Sequence, residues 1–148
     1  MTLETELEGV QRLGTDTAPL IYFIEGHPKY RSLVRVVFER AETGEIELFT
    51  STVTLTEVLA HPLEKQAEEI AKAYKTILLE SPHLHVLDVN VRIAEKAAKL
   101  RARYRLKTPD AIQIAVAIQA GCEGFLTNDK DHKRVQEVRV LFLGDFLA

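Results

Sequence analysis

Five short runs along the chain are rich in β-branched and other apolar residues: "VQRLGT", "IELFTS", "LHVLDV", "GFLTN" and "VRVLFL". Between them, apolar residues recur at three- and four-residue steps, the spacing of one face of a helix. Over 63–80 the stripe is Leu63, Ala67, Ile70, Tyr74 and Ile77, separated by Glu64, Glu68, Glu69, Lys72 and Lys75. One helix with a packed face and a wet face is expected there. From Ala111, "AIQIAVAIQAG" is apolar nearly all round, with only Gln113 and Gln119 polar, and Gly121 is its natural stop. Such a helix should be sandwiched inside the domain. Strands alternating with helices predict an α/β fold, a three-layer α/β/α domain around a central, mainly parallel sheet of about five strands.

Gly and Pro fall singly between these segments, and Gly9, Gly14 and Gly44 read as isolated turn glycines. No G-x-G-x-x-G follows a strand, which excludes dinucleotide binding. At 148 residues a single domain over 1–148 is expected. Apolar residues make up 46% and charged ones 28%, and no run approaches the roughly 18 apolar residues of a membrane span. Glu4, Glu6 and Glu8 stand where a signal peptide would be basic and then apolar, so a soluble, cytoplasmic protein is expected. Cys122 is the only cysteine and has no basic partner in "AGCEG", so it reads as small buried filler. His83 and His85 lie two apart, as strand-borne metal ligands can, but no third ligand accompanies them. Surface or half-buried histidines are expected.

The candidate chemistry is acidic. Asp16 in "TDTAPLIYFIEG" can cap a helix, and Thr54-x-x-Glu57 in "TLTEVLA" reads as a capping box. Asp110 in "TPDAIQIA" follows Thr108 as cap and Pro109 at the first helical position, where negative charge suits the helix dipole. Asp129 and Asp131 in "LTNDKDHKRV" suit a turn or short helix. Taken singly, each acid has an ordinary structural use. Together they do not, because parallel α/β sheets gather strand ends and following helix starts at one edge, which brings Asp16, Glu57 and Asp129 to the same rim. Two carboxylates about 5 Å apart repel by roughly 3 kcal/mol at an effective dielectric near 20, so such a cluster calls for a cation or raised pKa values. Oxygen ligands without His or Cys at fixed spacing point to Mg²⁺ or Mn²⁺ and away from zinc. A helix precedes Asp110, and periodicity leaves open which way its N-terminus points.

The spaced set "TDTAPLIYFIEGHP", "TLTEVLAHPL", "LKTPDAIQIAVAIQAG" and "GFLTNDKDH", in order over about residues 10–146, resembles the PIN-domain family of metal-dependent ribonucleases, including the VapC-type toxins of VapBC toxin–antitoxin pairs. The resemblance implies a PIN-like, Rossmann-like fold in which Asp16, Glu57, Asp110 and Asp129 form an acidic quartet that binds Mg²⁺ or Mn²⁺. Asp131 would be an accessory acid, and Thr127, with Thr17, would support the carboxylates. It also implies an RNA substrate, a cognate antitoxin and a homodimer. The sequence departs from the commonest pattern at His132, where many relatives carry Phe, and in its longer N-terminal lead; neither departure is expected to touch the quartet.

A net charge of −3 does not oppose RNA binding, because the five candidate acids more than account for it. Residues 92–107 carry Arg92, Lys96, Lys99, Arg101, Arg103, Arg105 and Lys107 against Glu95 alone. Arg101, Arg103, Arg105 and Lys107 lead directly to Asp110 and could follow a phosphate backbone; a solvated helix face has the same composition. Three rival readings remain: a stand-alone PIN nuclease without antitoxin, a catalytically silent metal-binding or interaction module, and a receiver-like phosphoacceptor. The last expects adjacent acids and a catalytic Lys after a later strand, which "TDT" and the residues after "VLFL" do not supply.

Overall fold

The computed structural model describes residues 1–147. In chain order it holds α1 (Leu3–Glu6), β1 (Arg12–Thr15), α2 (Thr17–Glu25), α3 (Arg31–Glu42), β2 (Glu47–Ser51), α4 (Thr52–Glu64), α5 (Glu68–Glu80), β3 (Leu84–Leu87), α6 (Val91–Tyr104), α7 (Thr108–Gln119), β4 (Gly124–Thr127) and β5 (Val140–Phe142). Short 3-10 turns cover Lys130–Arg134 and Leu143–Phe146. The five strands form one sheet of order β3-β2-β1-β4-β5, and every neighbouring pair is parallel. All five strands coincide with the five apolar runs.

Register sets Leu13 beside Leu48, Leu48 beside Leu84 and Leu126 beside Leu141. Because strand side chains alternate, these leucines share one face and pack with Leu20, Val34, Val37, Val58, Tyr74 and Leu78 from α2 to α5. Phe125 points the other way, into a second core with Ile93 and Leu100 of α6 and Ala111, Ile114 and Ala117 of α7. Helices therefore cover both faces, the three-layer arrangement that the alternation predicts.

Gly14 is not a turn glycine. It lies within β1, paired with Phe49 and Phe125, and a Cβ there would sit 2.5 Å from Ala117 Cβ. The missing side chain lets α7 lie directly on the sheet. Gly9 and Gly44, at φ +78° and +82°, are turn residues as expected.

The single helix expected over 63–80 is two helices. Gln66 adopts a left-handed φ of 57°, which ends α4 and restarts the chain as α5 at Glu68. The break resets the apolar phase: Leu63 and Ile70 are exposed, and Ala71, Tyr74 and Leu78 form the buried face. The capping box at Thr54 does not form either. Ser51 is the N-cap of α4, its hydroxyl accepting from the Val53 N–H, and Thr54 lies inside the helix. In α7 the N-cap is Lys107 and Thr108 is the first helical residue, one position earlier than expected.

Candidate active site at the sheet reversal

The chain builds β2 on one side of β1 and later β4 on the other. Strand order thus reverses between β1 and β4, and a crevice opens beyond their C-terminal ends, where doubly wound sheets place ligands. Asp16 leaves β1 there as the N-cap of α2, accepting from the Thr17 N–H at 2.9 Å. Asp129 leaves β4 there as the N-cap of the 3-10 turn, accepting from the Asp131 N–H at 2.9 Å.

Topology settles the direction of α7. The helix leads into β4, and just before that strand the Glu123 N–H bonds the Arg12 carbonyl at the start of β1. Its C-terminus therefore lies at the opposite edge of the sheet, and its N-terminus, with Asp110 in the first turn, faces the crevice.

The centre of the cluster is His132. Its ring is 1% exposed, and Nε2 lies 3.5 Å from Asp110 Oδ2 and 3.4 Å from Asp129 Oδ2; Nδ1 lies 3.8 Å from Asp16 Oδ2. The expectation that His132 does not touch the quartet is overturned: it contacts three of the four acids. The signal was its i,i+3 spacing from Asp129, which a tight helical turn folds onto one face.

Thr127 binds the cluster together. Its hydroxyl donates to Asp16 Oδ2 at 2.9 Å, accepts from the Asp129 N–H at 3.0 Å and meets His132 Nδ1 at 3.2 Å. Burial pushes the Asp16 carboxyl above its ordinary value; the bonds from Thr17 and Thr127 and the His132 ring oppose this, and Asp110 adds to it. Burial works against charge on His132, yet the surrounding Asp110, Asp16 and Asp129 outweigh it and raise the ring's pKa. The Asp16 shift is chiefly the cost of burying its charge, and the His132 shift shows that the acids around the ring favour positive charge there.

Glu57 reaches the site by another route. Its Oε1 accepts from the Thr17 hydroxyl at 2.6 Å, and Thr17 in turn meets Thr54 at 2.9 Å. Behind them Gln113, 2% exposed, bonds Thr54 and accepts from the Ser51 hydroxyl at 2.9 Å, tying α7 to β2 and α4. The sequence marked Gln113 only as a polar exception in an apolar helix, although a polar side chain buried on all sides must find partners.

Other candidates lie further out. The Asp131 side chain is exposed, and only its N–H meets the cluster. Arg101 Nε is held by the Leu106 carbonyl at 3.0 Å, and Arg103 pairs with Glu137 at 3.2 Å. Arg105 and Lys107 are exposed and have no ion pair among the described residues. His83 and His85 are half-buried and both bond Glu47. Cys122 is partly buried, and burial pushes its thiol up to about 12, an unreactive state. A surface groove of about 470 Å³ beside Leu63 and Leu79 is lined by none of the candidate acids.

These residues fit a divalent cation. One oxygen each of Asp16 and Asp110 and a ring nitrogen of His132 lie within 4.8 Å of one another, and Nε2 is buried without a hydrogen-bond partner. A wholly parallel three-layer domain with acids converging at its strand reversal defines a class of α/β proteins built around an acidic pocket. Within that class the chain belongs to the PIN-domain family, whose model matches residues 15–138. Its fold is that of VapC toxins. It is similar to DNA-bound VapBC from Salmonella typhimurium (TM-score 0.70, 19% identity, 90% of this chain and 98% of that one). It also resembles VapC20 of Mycobacterium tuberculosis, a sarcin–ricin-loop-cleaving toxin (TM-score 0.67, 19% identity, 87% and 99%). A toxin–antitoxin complex from Klebsiella pneumoniae aligns with TM-score 0.66 at 23% identity over 90% and 98% of the two chains. Among curated proteins, none matches the chain by sequence.

Proposed function

We propose that the chain is a divalent-metal-dependent endoribonuclease, the toxin of a VapBC-type pair, acting as one domain. The observation that carries this reading is the convergence of Asp16, Asp110 and Asp129 on the buried His132 at the strand reversal of a PIN fold. A divalent ion bound there would lower the pKa of a coordinated water and offset charge developing on a phosphodiester. Asp16 and Asp110 would hold it, with Asp129 at the mouth, and Mg²⁺ and Mn²⁺ are the candidates.

The chain's own groups supply the rest. Thr127 fixes the Asp16 carboxylate by hydrogen bonding, so the oxygen facing the pocket keeps its direction. Glu57 is exposed but anchored through Thr17, which leaves its second oxygen free to orient an attacking water. Exposed Arg105 and Lys107, just before α7, would attract the RNA backbone toward Asp110. An antitoxin partner is supported by the VapBC complexes among similar structures, and a homodimer follows from the same family reading.

The test is cleavage of a mixed RNA pool with Mg²⁺, Mn²⁺ or EDTA, beside Asp16→Asn and Asp110→Asn. Cleavage should require both metal and both carboxylates, each substitution lowering the rate by at least about 100-fold. Cleavage that persists in EDTA or in Asp16→Asn would overturn the assignment. Intact RNA with metal binding retained would make the chain a silent PIN module.

A further inference from the structure

We propose that His132 Nε2 is a nitrogen ligand of the ion held by Asp16 and Asp110, with Asp129 at the mouth, and that this ligand makes the pocket select a transition-metal ion over Mg²⁺. The inference rests on the reading above that these acids hold a cation, and it assigns a residue and a selectivity that the acids alone do not supply.

Three observations carry it. First, Nε2 is the one buried side-chain polar atom without a hydrogen-bond partner among the described residues. An unpaired buried polar atom is costly, and here it is aimed between two carboxylates rather than at apolar wall. Second, its separations of 3.5 and 3.4 Å from Asp110 and Asp129 are too long for good hydrogen bonds. They do match neighbouring ligands on one ion, since bonds of about 2.0–2.2 Å set tetrahedral or octahedral edges of roughly 3–3.5 Å.

Third, the hydroxyl accounting at Thr127 places a proton on Nδ1 of His132. Thr127 has one proton, which goes to Asp16, and it accepts from the Asp129 N–H. Its contact with His132 Nδ1 is a hydrogen bond only if Nδ1 carries the proton. In the neutral ring the Nε2 lone pair then points into the pocket. Histidines that bind metal typically donate their other N–H to an oxygen in this way.

Selectivity follows from ligand chemistry. Mg²⁺ demands oxygen and sheds water reluctantly, whereas imidazole suits ions further along the first transition row. Replacing one oxygen donor with Nε2 therefore favours Mn²⁺ over Mg²⁺.

The experiment is calorimetric titration of the full chain with Mn²⁺ and with Mg²⁺, for the wild type, His132→Phe, His132→Asn and Asp16→Asn, with folding checked by circular dichroism. Pulsed electron paramagnetic resonance of the Mn²⁺-loaded wild type reads nitrogen coupling directly and needs no variant. Nitrogen coupling is expected in the wild type and absent in both His132 variants. Their Mn²⁺ affinity should fall about 10–100-fold and their Mg²⁺ affinity about threefold or less. Mn²⁺ bound through Asp16 without nitrogen coupling overturns this proposal and leaves the acidic site standing. Variants that bind both ions more tightly also overturn it, marking His132 as an internal cation that competes with metal. A wild type that binds neither ion overturns both readings together.

Discussion

At the scale of single residues, Thr127 carries more of the site than its size suggests. One hydroxyl orients Asp16, fixes the N–H of Asp129 and places a proton on Nδ1 of His132. Thr127→Val keeps the shape and removes all three contacts. It should cost about 1–3 kcal/mol of stability, because buried partners lose their bonds. Mn²⁺ affinity should fall about 10–100-fold, and Thr127→Ser should restore most of it; thermal melts and calorimetry check the two effects separately. Asp16 and Asp129 were legible as candidates because a carboxylate just after a strand is visible without a structure, whereas Asp110 joined them only through the family resemblance. His132 was not, since "DKDHKR" is polar throughout and reads as a solvent-facing turn. Its burial arises from the 3-10 turn, in which the His132 N–H bonds the Asp129 carbonyl and folds the ring inward. Glu57 reads locally as half of a capping box and enters the quartet only through the sheet rim and the family resemblance; its observed partner is Thr17, on another helix.

At the scale of elements, the decisive contact is α7 against β1. Gly14 admits Ala117 where any other residue would clash, so the backbone of one strand fixes the height of the helix that carries Asp110. Gly14→Ala would place its methyl 2.5 Å from Ala117 Cβ and 3.1 Å from the Phe125 ring. The helix must shift, and overpacking of this kind costs about 1–3 kcal/mol. Metal affinity should fall with stability, because Asp110 and Gln113 move with the helix; a denaturant melt together with a Mn²⁺ titration checks this. Strand positions were legible from apolar runs, and the buried character of α7 from its all-round apolarity. The break at Gln66 was not, because a left-handed residue other than glycine leaves no composition signal. Nor could periodicity give the direction of α7, which comes from the order of the strands.

At the scale of the whole molecule, the sheet ends at β3, and Glu47 fastens that edge. Its two oxygens bond His83 and His85, each at 2.7 Å. The bond from His85, opposed by burial and aided by the bond from His83, holds the Glu47 carboxyl below its ordinary value. A depressed carboxylate pKa stabilises the fold above the unfolded value near 4.3, and that contribution is lost as pH falls through the folded value. The melting temperature of the wild type should therefore drop more steeply below about pH 5 than that of Glu47→Gln, with the two curves parallel near neutrality. The reversal of strand order has a consequence in time as well as in space. Asp129 and His132 leave the ribosome more than a hundred residues after Asp16, a delay of roughly 6–20 s at ordinary elongation rates. Until β4 inserts beside β1 the nascent chain has no pocket to arm, so the acidic centre comes into being only after β4 has been synthesised.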